Sequence, residues 1–157
     1  MEIMYCHHGN RKIINKPSQN DDLTELGIQD CENIGKLLDS VKHKKNIRCI
    51  YSSQFFRCKR TAEIINKNLN LPIIIDNRLD EFKSVENENW VDCQNRIMNF
   101  LKEIINNHSN NDFVICVTSG VNIAGFINLA YNIKPNNFTP FLQVPNCSPI
   151  IFKFDKS

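Results

Sequence analysis

No apolar run in this chain approaches the ~18 residues that a membrane-spanning helix needs, so no helical span is expected. Clustered positive charge is also lacking. The only basic run is Lys42-His43-Lys44-Lys45 and the formal net charge is +2, too little for a nucleic-acid-binding stripe. The seven cysteines, Cys6, Cys31, Cys49, Cys58, Cys93, Cys116 and Cys147, include no C-x-x-C pair and no Cys/His spacing of a zinc site. A metal is therefore not expected. Their odd number and wide spacing do not read as a disulfide framework, and most sit in apolar runs where cysteine acts as a small hydrophobe. That usage fits a reducing compartment. Only Met1–Cys6 precede the first motif, too few residues for a signal peptide. No internal repeat is present. The expectation is a cytoplasmic chain with neither a membrane nor a nucleic acid as partner. Its 157 residues are read as one domain, 1–157. A domain of that size buries roughly two thirds of its unfolded surface and needs no staple.

What is present is an alternation of short apolar runs with helical periodicity. Strands are expected at Glu2–Cys6, Ile47–Ser53, Pro72–Asp76, Asp112–Gly120 and Ser148–Phe154. Helices are expected at Leu23–Val41, with Thr24 as N-cap, and at Arg57–Leu69, Ser84–Ile105 and Val121–Tyr131. The run Asp112–Gly120 is the most apolar, which suits a central strand covered on both faces. Strands alternating with helices predict an α/β fold: a three-layer α/β/α, doubly wound, mostly parallel sheet with Ser148–Phe154 as an antiparallel edge strand.

In such sheets ligands bind beyond the carboxyl ends of the strands. The chemistry-bearing residues collect there. Two of the four histidines, His7 and His8, end the first strand. Ser52 and Ser53 end the second, with Arg57 a few residues on. Arg78, Asp80 and Glu81 follow the third. Thr118-Ser119-Gly120 ends the apolar strand and opens a helix. Arginine and helix N-termini suit a phosphate, and a histidine beside a bound phosphate can act as a nucleophile.

The segments "YCHHG", "LTELGIQDC", "IYSSQFFRCKRTAEII", "DNRLDEF" and "VICVTSGVNIAGFI" stand in the order found in the histidine phosphatase superfamily, the phosphoglycerate-mutase-like proteins, and "VPNCSPIIFKF" resembles the strand that closes that fold. The resemblance spans the chain. The most specific piece is "SS-x-x-x-R-x-x-x-TAEII", which fixes a strand tip, a phosphate-facing arginine and a helix face together. It implies His8 as the nucleophile, Arg57 as a phosphate arginine and Glu81 as the proton-transferring acid, with Asp80 as a near alternative. It implies no metal and no cofactor, since cationic side chains take that role in the family.

Two positions depart from the family pattern. His7 stands where the first arginine is usual, and Ser119 where the second histidine is usual. His7, Ser119, Arg57 and Arg11 are the expected phosphate-binding residues, with a protonated His7 or a reoriented Arg11 replacing the lost cation. Two readings remain open. One is a degenerate pocket that binds phosphate or a phosphorylated partner with weak or absent turnover. The other is an active, metal-independent phosphatase working through a phosphohistidine on His8, on a phosphoprotein, a phosphohistidine or a small phosphoester. A mutase is the least expected, because the segment Asn77–Asn89 is short where the family carries a long insertion over the pocket.

Overall fold

The computed structural model describes residues 1–14, 16–82, 87–133 and 143–155. Five strands, β1 (Glu2–His7), β2 (Asn46–Ser52), β3 (Ile73–Ile75), β4 (Asp112–Thr118) and β5 (Pro149–Lys153), form one sheet in the order β3-β2-β4-β1-β5. All neighbours are parallel except β5, which runs antiparallel to β1 at the edge. Every residue of β4 is buried, as its unbroken apolar run requires. Its side chains alternate between two cores, in keeping with the period of two in a strand. Phe113, Ile115 and Val117 face one, and Val114 and Cys116 face the other.

Helices α1 (Glu25–Val41) and α2 (Phe56–Asn66) cover the first face through Cys31, Ile34, Leu38, Cys58, Ala62 and Ile65. Helices α3 (Trp90–Asn107) and α4 (Gly120–Ala130) cover the second through Ile97, Phe100, Ile104, Ile123 and Phe126. The three-layer architecture is as the alternation predicts.

Element ends shift for local reasons. Thr24 does cap α1, its side chain accepting from Gly27 N at 3.0 Å, so the helix starts at Glu25 and Leu23 instead bridges Arg11. α2 ends at Asn66 rather than Leu69, because the Asn66 side chain brackets the Leu71 backbone through bonds of 2.8 and 2.9 Å. α3 starts at Trp90, not at Ser84. Asn89 and Asp92 form a reciprocal capping box there, and residues 83–86 lie outside the described residues.

The parallel register brings the strand tips level. His7 pairs with Thr118, Val117 with Ser52, and Ser52 with Ile75. All four carboxyl ends therefore open on one side of the sheet.

Candidate active site

His8 is the first residue beyond β1. Its amide donates to Thr118 O at 3.0 Å, which ties it to the neighbouring tip. Its ring is buried, with Nδ1 2.8 Å from Gly9 O. A carbonyl only accepts, so Nδ1 carries the hydrogen and Nε2 keeps its lone pair. Nε2 accepts from Arg57 Nε at 3.0 Å. Burial, then the neighbouring His7, pushes the His8 pKa down to about 3, so the ring is neutral at physiological pH.

The turn after His8 fits only because of two glycines. A Cβ on Gly9 would come within 2.9 Å of both Cys31 Sγ and Gly27 O, and one on Gly27 within 2.5 Å of Asn10 O. This close approach is what "LT-x-x-G" encodes. Thr24 caps the helix and donates its amide to Asn10 O, while Gly27 lets the Asn10 backbone lie against the first turn.

Arg57, in the first turn of α2, is 1% exposed. Its guanidinium is used on three sides: Nε on His8, NH1 on Ser18 O at 3.2 Å, and NH2 on Glu81 Oε2 at 2.5 Å. Thr61, one turn on, accepts from Gly9 N at 2.9 Å and donates to Arg57 O at 2.8 Å, which couples the histidine turn to α2.

The adjacent carboxylates have separate parts. Asp80 is fully buried and accepts from Ser53 Oγ, Gln54 N and the Gln54 side chain, so it ties the loop to the end of β2. Glu81 faces the cleft with a side chain 31% exposed. Asn122 of α4 holds the backbone before it, donating to Leu79 O (2.9 Å), Asp80 O (2.7 Å) and Thr118 Oγ1 (2.9 Å).

A cleft of about 640 Å³ opens over His8 and Glu81, while Arg57 is buried behind them and does not itself line it. His7, His8, Arg11 and Glu81 line it, with Gly120 and Val121 from the N-terminus of α4 and the segment Gln143–Asn146 as a further wall. That helix end directs its partial positive charge at the cleft. His7 lies with its ring centroid 4.5 Å from that of His8 and its Nδ1 2.7 Å from Val144 O. Burial is the main cause lowering the His7 pKa, so the ring does not supply the cationic charge expected of it. Arg11 lines the cleft but pairs with Asp21 at 3.7 Å. Ser119 is buried and its Oγ accepts from Asn122 N at 3.4 Å as the N-cap of α4. Its hydroxyl serves the helix, and its neighbours Gly120 and Val121 meet the cleft in its place.

Four contributors were not singled out from the sequence. Asn122 stands three residues after the N-cap in "TSGVN", a spacing that reads only as helix. Thr61 sits inside the "TAEII" helix motif. Asn146, whose Nδ2 donates to His8 O at 2.8 Å, and Val144 come from "VPNC", more than 130 residues from the histidines they hold.

The family model for the histidine phosphatase superfamily (branch 1) matches residues 7–88 and 80–157. The chain belongs to this superfamily. Solved structures agree on the fold. YhfR of Bacillus stearothermophilus is similar with a TM-score of 0.78 and 23% identity, over 99% of this chain and 92% of that one. The protein histidine phosphatase SixA complexed with tungstate gives 0.74 and 15%, over 99% and 90%. The phosphoserine phosphatase of Entamoeba histolytica in complex with 3-phosphoglyceric acid gives 0.73 and 18%, over 98% and 90%. No curated protein matches the chain. Among the described residues of this superfamily member, no group of three or more His, Cys, Asp or Glu is placed to hold a metal ion, and no helix is long and apolar enough to cross a membrane.

Proposed function

We propose that this superfamily member is a slow, metal-independent phosphatase that works through a phosphohistidine on His8. One observation carries the reading. The His8 ring is fixed by Gly9 O as the tautomer whose Nε2 lone pair faces Arg57, with Glu81 on the far side of the same guanidinium.

In the first step the phosphoryl oxygens displace the Arg57 Nε contact and take the guanidinium as their own partner. Nε2 attacks phosphorus, the bond to the leaving oxygen or nitrogen breaks, and Glu81 in its acid form supplies the proton. In the second step Glu81 as carboxylate takes a proton from water. The water oxygen bonds to phosphorus, the P–N bond breaks, and the lone pair returns to Nε2. The N-terminus of α4 adds partial positive charge to the same oxygens.

Turnover is slow because His7 is held neutral and the Ser119 hydroxyl is engaged in capping. Each missing preorganised donor costs about 10²–10³ in rate. Substrates with good leaving groups, such as a phosphohistidine on a protein or an aryl phosphate, suffer least, because they need little protonation. The same two features favour a second reading, a phosphate-binding pocket without turnover. Pure protein incubated with an aryl phosphate and with a phosphohistidine peptide separates them. Hydrolysis lost in His8→Ala supports the phosphatase, and equal backgrounds support the binding pocket.

A further inference from the structure

We propose that Cys31 and Cys147 are a modification site, where a hydroperoxide forms a disulfide that ties one wall of the cleft to α1 and a dithiol reductant opens it. The two sulfurs lie 3.4 Å apart although 116 residues separate them in the chain. Cys31 is buried on α1, and Cys147 is partly exposed just after the Val144–Asn146 wall.

The backbone marks Cys147 as unusual. Its φ is 53°, in the left-handed region. The other described non-glycine residues with positive φ are Asn70, Asn87 and Asn132, and asparagine is a residue that tolerates this region. A cysteine there is not explained by the turn. Its amide donates to His7 O at 3.1 Å, so the conformation aims the side chain at α1 while the backbone holds the histidine strand.

The remaining thiols are poor competitors. Cys6, Cys49, Cys58, Cys93 and Cys116 are buried, and burial pushes each of them up. Cys31 alone is lowered, chiefly by its hydrogen bond with Cys147. The thiolate is the reactive form.

The chemistry closes on two thiols and one hydroperoxide. Cys31 is the thiol that loses its proton to solvent, its thiolate accepting from the Cys147 S–H while the same contact keeps Cys147 protonated. The thiolate attacks a peroxide oxygen and the O–O bond breaks. A sulfenic acid forms, and the departing oxide leaves as water or alcohol. The second sulfur gives up its proton and attacks the sulfenic sulfur. The S–O bond breaks, water leaves, and the S–S bond forms. Each sulfur is oxidised by one electron and the two peroxide oxygens are reduced. Reaching a bond of about 2.05 Å needs a closure of about 1.4 Å, taken up on the side of Cys147. The crosslinked segment is the one that accepts from His7 through Val144 O and donates to the His8 carbonyl through Asn146.

The test is hydrogen peroxide treatment of the folded chain, read by intact mass, by a non-reduced peptide map and by thermal melting. Expected are a loss of two hydrogen atoms, a Cys31–Cys147 crosslinked peptide, and a melting temperature raised by several degrees. Dithiothreitol reverses all three, and Cys147→Ser, folded by circular dichroism, shows none. The proposal is overturned by no mass change, by a gain of oxygen atoms without a crosslink, by a link through another cysteine, or by a link that leaves melting unchanged. None of these readouts depends on phosphatase turnover, so this site and the hydrolase reading stand or fall separately.

Discussion

Lowering the pH from 7.5 to 5.5 should destabilise the fold through His8 by about 1.4 kcal/mol. The ring is buried with its Nε2 against a guanidinium, and its pKa falls from 6.5 to about 3. Because the folded value lies below the unfolded one, the unfolded chain binds more protons between those limits. Stability from His8 is therefore complete above about pH 6.5 and drains away as pH falls toward about 3. With a negligible native proton uptake at pH 5.5, the loss is RT ln(11/1.1), about 1.4 kcal/mol, and about 2.7 kcal/mol by pH 4.5. Carboxylates also titrate in this range, so the difference between two proteins is the useful quantity. His8→Asn keeps a side-chain donor for Gly9 O and has nothing to protonate. Urea unfolding of both proteins at pH 7.5, 5.5 and 4.5 gives the comparison. The wild type should lose more stability than the variant by the stated amounts. Equal losses would mean that His8 protonates freely in the folded state and that its lone pair is not held as described.

Asn122→Ala removes three hydrogen bonds behind the acidic loop. It should cost about 1–3 kcal/mol in urea unfolding and lower kcat by letting Glu81 drift. Arg57→Ala strands the His8 and Glu81 contacts of a fully buried guanidinium, so it should destabilise the fold by a few kcal/mol, whereas Glu81→Gln, at the partly exposed end of the pair, should cost less than about 1 kcal/mol; thermal melts of the two variants rank them. Ser119→His with His7→Arg restores the family's usual charges, and aryl-phosphate turnover should rise by up to about 10²–10³ per regained donor. Losing the Ser119 cap should cost about 0.5–1 kcal/mol, since its 3.4 Å bond is long.

The sheet was legible because its cause is local. The apolar run of β4 has no other use than a central strand, and Thr24 and Gly27 announce the start of α1 within four residues. The strand tips follow from topology, so the His7-His8, Arg57 and Asp80-Glu81 tips could be gathered from the sequence, and the family resemblance singled out His8, Arg57 and Glu81 among them. Electrostatic state was not legible. Whether His7 carries a proton depends on burial and on the carbonyl of Val144, which is distant in sequence. The roles of Asp80 and Glu81, adjacent in the chain, separate only once Ser53 and Gln54 are seen to claim the first. The proximity of Cys31 and Cys147 is likewise a product of the fold alone.

The central claim is that His8 accepts the phosphoryl group, and trapping that intermediate tests it most directly. The protein is mixed with an excess of aryl phosphate, denatured within milliseconds at alkaline pH, where phosphohistidine survives, and digested for mass spectrometry. The account predicts one phosphoryl group on the peptide bearing His7 and His8, assigned to His8 by fragmentation and absent from His8→Ala. Turnover without any phosphorylated His8, or the group found on another residue, would contradict it.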